Sequence, residues 1–150
     1  MERPQEQRAI HVPVLLKEVL ASLAPVSGKS YVDGTLGLGG HSRAILECCA
    51  PTGQVIAFEW DADAVAAGAD LGCFGDRFTL VRSSYADLVE ELGALGISSI
   101  DGLIADLGVS SLQLDRVDRG FSFRGESELD MRMDQRRPMN ATPLIGLASV

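Results

Sequence analysis

Through its first hundred residues the chain alternates short apolar runs with stretches whose apolar positions recur every three or four residues. Residues 11–23 place Val14, Leu15, Val19, Leu20 and Leu23 at helical spacing, and Pro25 stops the pattern. A strand is predicted over 30–33, running into the turn Asp33-Gly34-Thr35-Leu36-Gly37-Leu38-Gly39-Gly40-His41. The chain continues as a helix over 41–49, with Ala44, Ile45 and Leu46 as its apolar positions. Gly53 resets it before a strand over 54–59, where Val55-Ile56-Ala57-Phe58 has the unbroken apolar character of a strand covered on both faces. A helix over 61–71 with Asp61 as N-cap, a strand over 78–82, a helix over 86–95 and a strand over 102–106 follow. Four strands alternating with helices predict an α/β fold with a parallel sheet. Beyond Leu107 the periodicity dissolves, and no element is predicted there.

Composition fits one soluble domain: 150 residues, 46% of them hydrophobic and 23% charged. Residues 1–10 read as a flexible, polar N-terminus without the apolar stretch of a signal peptide. No run reaches the ~18 apolar residues of a membrane span, so no membrane partner and a cytoplasmic location are expected. Three cysteines, two of them adjacent as Cys48-Cys49, make neither an even disulfide framework nor a metal-binding pair, and with only His11 and His41 as imidazoles no metal is expected. The net charge of -8 is unevenly spread. Residues 1–112 hold 15 acids against 7 bases, whereas residues 113–150 hold 6 of each, including Arg116, Arg119, Arg124, Arg132, Arg136 and Arg137. A polyanion could approach only this last part, unless its arginines are paired with the neighbouring acids.

In a parallel sheet, ligands bind beyond the carboxyl ends of the strands. Those ends are Asp33, Glu59, residues 82–85 and Asp106. The turn after Asp33 brings backbone close to a ligand, and the helix near His41 aims free amides at it, which suits a phosphate or a carboxylate. The dinucleotide fingerprint fails, because Ser42 stands where its third glycine belongs. Gly28-Lys29-Ser30 matches the tail of a phosphate-binding P-loop, but Leu23 occupies the first glycine position and the triplet precedes a strand. Glu59, twenty residues after Gly39, suits the paired hydroxyls of a ribose, a need shared by NAD and S-adenosylmethionine. The flanking acids Asp33, Glu59 and Asp106 favour the sulfonium cation of S-adenosylmethionine over the pyrophosphate of NAD. An NAD-dependent oxidoreductase is therefore the weaker alternative. Asp130 and Asp134 lie four apart, but Arg132 and Arg136 make salt pairing the better reading than a cation site.

Separated motifs carry a family resemblance: His11-Val12-Pro13-Val14-Leu15-Leu16, the turn from Asp33 to His41, Asp106-Leu107-Gly108-Val109-Ser110-Ser111 with Gln113-Leu114-Asp115, Arg119-Gly120-Phe121-Ser122-Phe123, and Leu129-Asp130-Met131-Arg132-Met133-Asp134. In this order they resemble the bacterial 16S ribosomal RNA (cytosine-N4) methyltransferase family. The resemblance implies a class I S-adenosylmethionine-dependent methyltransferase, a Rossmann-like parallel sheet acting on N4 of a cytosine in the decoding region, with 16S rRNA of the small ribosomal subunit as partner. It further implies cofactor contacts at Gly39, Gly40 and His41, at Glu59 where the family commonly has Asp, at Tyr85 where it commonly has Phe, and at Asp106 and Gln113. No catalytic base is implied, since the residues after Asp106 lack the proline and aromatic of related amino-methyltransferases. Residues 11–134 correspond to the N-terminal part of the methyltransferase domain, and 135–150 read as a divergent tail. The family's inserted helical domain and later strands do not follow, so a truncated form is expected. An open fourth-strand edge prone to self-association and a non-catalytic, cofactor-binding remnant are the corollaries.

Overall fold

The computed structural model describes residues 13–147. Four strands form one parallel sheet in the order β3-β2-β1-β4: β1 Ser30–Asp33, β2 Gln54–Phe58, β3 Phe78–Val81 and β4 Gly102–Ile104. β1 pairs with β2 on one side and with β4 on the other, with Val32 opposite both Ile56 and Leu103. The two inner strands, β1 and β2, are the most buried because both of their faces are covered. On one face Tyr31 and Val55 pack with Ile45, Leu46 and Cys49 of helix α2 (Gly40–Cys48) and its C-cap, and with Leu20 and Leu23 of helix α1 (Leu16–Leu23). On the other, Val32, Ile56 and Phe58 meet Leu92 and Leu88 of α4 (Leu88–Ala94). Between β2 and β3 run α3 (Ala62–Ala67) and a tighter 3-10 segment, Gly68–Arg77.

The predicted elements are present, and their differences in length have local causes. Helix α1 begins at Leu16, because the chain before it is a turn in which Leu15 takes a left-handed conformation (φ 54°) and the Val14 carbonyl accepts a bond from His41. The part of the expected helix at residues 11–12 lies outside the described residues. The helix expected over 61–71 tightens to 3-10 geometry from Gly68. β4 stops at Ile104, whose carbonyl accepts the Gly34 N–H, and two residues later the Asp106 N–H turns to the Thr35 hydroxyl instead of a ladder partner.

Beyond Leu107, where no element was predicted, the structure contains α5 (Ser111–Asp115), a 3-10 turn at Val117–Arg119 and α6 (Ala141–Leu147). The first is set by a capping box: the Ser110 hydroxyl accepts the Gln113 N–H, and the Gln113 side chain accepts the Ser110 N–H. No helix among the described residues is long and apolar enough to cross a membrane.

Candidate functional site

A cavity of about 420 Å³ opens beyond the carboxyl ends of the strands. Its walls come from the turn after β1, from Glu59, Trp60 and Asp61 after β2, from residues 83–85 after β3, and from residues 106–111 and Gln113 after β4. Pro13, Val14 and Met133 complete it. A cavity at this place and of this size suits a nucleoside-sized ligand.

Asp33, buried at the end of β1, organises the turn. Its carboxylate accepts the Ser42 hydroxyl at 2.7 Å and the Thr35 N–H at 3.1 Å. The Thr35 hydroxyl in turn accepts the Asp106 N–H at 2.7 Å, so the first turn of α2, the glycine loop and the segment after β4 are tied in series. Burial pushes the Asp33 carboxyl above its ordinary pKa, against the bonds from Ser42 and Thr35. Gly39, the N-cap of α2, has φ 76°, and a Cβ there would stand 2.8 Å from Leu71. Gly40 lies against Pro13, leaving no room for a side chain.

The residues singled out as cofactor contacts converge with one difference. Gly40, His41, Glu59, Tyr85, Asp106 and Gln113 all line the cavity, whereas Gly39 lies behind it, buried against Leu71 and Leu36. The His41 ring is itself engaged, with Nε2 donating to the Val14 carbonyl at 3.1 Å. Glu59 is tightly held: one oxygen accepts the N–H groups of Trp60 and Asp61, each at 2.9 Å, and the other accepts that of Gly37 at 3.0 Å. Burial nevertheless raises its pKa above the ordinary glutamate value. Tyr85 opens the 3-10 turn Tyr85–Asp87, where the Ser84 hydroxyl accepts the Ala86 N–H, and its side chain stays accessible. The Asp106 carboxylate accepts no hydrogen bond from the described residues. Gln113 is buried, with its amide nitrogen donating to Asp61 at 2.7 Å and its oxygen committed to the capping box. Part of its role is therefore to build the wall.

Trp60, Asp61 and Met133 belong to the site without having been singled out for it. Asp61 has the expected N-cap role, accepting the Asp63 N–H at 3.0 Å. Its partners Gln113 and Arg119 stand more than fifty residues away, beyond the reach of any local pattern. Burial alone would raise Asp61, but the bonds from Arg119 and Gln113 outweigh it and hold its carboxyl below the ordinary range.

The late arginines are paired within the chain. Arg116 meets Asp63 and Asp118, Arg119 meets Asp61 and Asp63, Arg132 meets Asp130, and Arg136 meets Asp134. Arg137 sits over the Trp60 ring, 5.3 Å from its centroid. Among the described residues, no Lys or Arg lines the cavity, whereas Glu59, Asp61 and Asp106 do.

The strand order, the glycine turn after β1 and the acid after β2 together define a class I, Rossmann-like methyltransferase fold. Comparison with known proteins agrees: a family model described as the MraW methylase family matches residues 8–149. The ribosomal RNA small subunit methyltransferase H of Desulfotalea psychrophila is 53% identical over 137 residues, covering 91% of this chain and 46% of that protein. The protein of the same name from Geotalea daltonii is 51% identical over 140 residues, covering 93% of this chain and 45% of the relative. That of Magnetococcus marinus is 54% identical over 125 residues, covering 83% and 40%. This chain belongs to the MraW methylase family, and it spans less than half the length of these relatives.

Proposed function

We propose that the cavity binds S-adenosylmethionine and that the chain is the cofactor-binding part of an enzyme methylating N4 of a cytosine in the decoding region of 16S rRNA, within the small ribosomal subunit and in the cytoplasm. The observation that carries the cofactor reading is the charge of the cavity: Glu59 and Asp106 line it without a salt-bridge partner among the described residues, Asp61 is already matched by Arg119, and no Lys or Arg of the described residues lines it. That set attracts a ligand bearing a sulfonium and an ammonium and opposes a pyrophosphate. The donors and acceptors fit the rest of such a ligand. Glu59 retains lone-pair capacity for ribose hydroxyls, and Tyr85 offers a flat face to adenine. The amides of the first turn of α2, at Gly40 and His41, suit a carboxylate.

When bound, the cofactor supplies a methyl group on a positively charged sulfur. The protein's part is to hold that carbon in line with the cytosine amine, whose lone pair is delocalised into the ring, and to accept an amine proton as it pyramidalises. Asp106 and the exposed Ser111 are acceptors on the segment where the amine would approach, while the Ser110 hydroxyl already accepts the Gln113 N–H. The paired arginines of residues 113–150 would engage phosphates only by exchanging their internal carboxylates, which makes RNA affinity steeply salt-dependent. The outer edge of β4 carries half-exposed Leu103, and self-association through it belongs to the same proposal.

Incubating the chain with labelled S-adenosylmethionine and small ribosomal subunits, then digesting the RNA to nucleosides, tests the activity. Label in N4-methylcytidine is the expected result. Cofactor binding without incorporation assigns the chain to the second reading, a non-catalytic binding remnant. Label in another nucleoside contradicts the proposal.

A further inference from the structure

We propose that Arg119 is a positioning residue for the cofactor site, its buried guanidinium gripping Asp61 so that the segment after β4 is held against the end of β2. The inference rests on the cofactor reading above and adds to it the part that sets the shape of the cavity.

Arg119 is 1% exposed and Asp61 3%. The guanidinium straddles the Asp61 carboxylate, with Nη1 to one oxygen at 3.1 Å and Nη2 to the other at 2.8 Å. Nη1 also reaches Asp63 at 2.7 Å, and Nη2 donates to the carbonyls of Arg132 and Met133 at 3.0 and 3.2 Å. The main chain of Arg119 holds the same segment, its carbonyl accepting the Met131 N–H at 3.0 Å. One residue thus binds the loop after β2, the start of α3 and the strip at residues 131–133. Asp61 extends the grip through its bond from Gln113. Asp61, Gln113 and Met133 are three pieces of cavity wall drawn from distant parts of the chain, and all three meet at this guanidinium directly or through Asp61.

Stability alone does not account for the arrangement. A buried ion pair gains little over a well-packed apolar pair, because both ions are desolvated, and here the Arg119 Nε is left without a partner. What the planar fork supplies is direction: its donors fix the loop after β2, the residues after β4 and the strip at Met133 at set separations, which an apolar contact would not do. The cavity is lined by Glu59 and Trp60 from the end of β2 and by Gln113 and Met133 from later in the chain, so the affinity of a ligand filling it depends on the spacing that Arg119 sets.

Trp60, the single tryptophan, lines the cavity next to Asp61 and reports on it. The test titrates the 150-residue chain with S-adenosylhomocysteine, following Trp60 emission, and melts each variant by far-ultraviolet circular dichroism. Arg119→Lys keeps the charge with fewer, undirected donors, and is expected to weaken binding about tenfold with the helical signal intact. Arg119→Met strands a buried carboxylate and is expected to unfold easily. Arg119→Met with Asp61→Asn removes both charges and should recover the melting temperature; because Asp61 itself lines the cavity, its reference is Asp61→Asn alone, and binding should be at least about tenfold weaker than in that single variant. A purely structural Arg119 would give the opposite pairing, with affinity returning as stability returns. Binding within about twofold of wild type in Arg119→Lys, and of Asp61→Asn in the double variant, overturns the inference and leaves the cofactor reading standing. A wild-type chain that does not bind S-adenosylhomocysteine overturns both.

Discussion

Replacing Glu59 by Gln should separate the two tasks of this carboxylate. It accepts three backbone N–H groups, two at one oxygen and one at the other. Glutamine has a single acceptor. Facing its oxygen to Trp60 and Asp61 turns its amide nitrogen, a donor, toward the donating Gly37 N–H. One backbone bond is lost and two donors are opposed, a cost of about 1–3 kcal/mol for an unmet buried donor. Glu59 is only half-buried and water reaches the cavity, so the lower end, about 1 kcal/mol, is expected from the urea midpoint. The ligand loses more. A charged acceptor for a ribose hydroxyl contributes about 1.5–3 kcal/mol, so the Kd for S-adenosylhomocysteine should rise roughly 10- to 150-fold in calorimetric titration. Because burial raises the Glu59 pKa, the titration should be run well above the ordinary carboxylate range, near pH 8. An unchanged Kd would refute the assignment of Glu59 to the ligand. An unchanged urea midpoint would refute the argument from the three backbone bonds.

Gly39→Ala should destabilise the chain by about 2–4 kcal/mol, from the left-handed φ of 76° and the crowding of Leu71, and a urea midpoint within error of wild type would contradict it. Lowering the pH from about 8 toward the ordinary glutamate range should weaken S-adenosylhomocysteine binding as Glu59 protonates, at a pH above that of an ordinary glutamate, and the step should vanish in Glu59→Gln. The same protonation, with that of Asp33, acts oppositely on the unliganded fold: both folded pKa values are raised, so their ionised forms cost stability at neutral pH, and that cost is relieved as pH falls. Asp61 has the reverse sign, its contribution being complete above about 3.9 and lost as pH falls through its depressed value, so it stays constant over this range. Leu103→Lys on the outer edge of β4 should shift the chain toward monomer in sedimentation velocity; a wild type already monomeric at high concentration would contradict the edge-association proposal.

The strands and the helices between them were legible because their causes are local. The Val55 to Phe58 run, the glycine turn and Pro25 each act over a few residues, and the observed β1 and β3 begin at the expected residues. The site was legible to the extent that strand ends are: Glu59 and Asp106 follow their strands, and the fold brings those ends together. What escaped was set by contacts distant in sequence. Nothing near Asp61 announces Gln113 or Arg119, and nothing near Met133 announces a cavity. Helix α5 is a different case. Its capping pair, Ser110 with Gln113, is a local signal visible in the sequence, but it precedes a helix too short to show a period. Gly39 shows how the apparent purpose of a residue can shift, since the turn that suits a ligand uses this glycine to pass Leu71.

The proposed cofactor site requires a cavity that selects a cationic nucleoside over a pyrophosphate. Isothermal titration of the 150-residue chain with S-adenosylmethionine, S-adenosylhomocysteine and NAD, under one buffer near neutral pH, tests it most directly. One-to-one binding of the first two and none of NAD is expected, with S-adenosylmethionine losing more affinity as salt is raised because it alone carries the sulfonium charge. Binding of NAD with no heat from either S-adenosyl compound would contradict it.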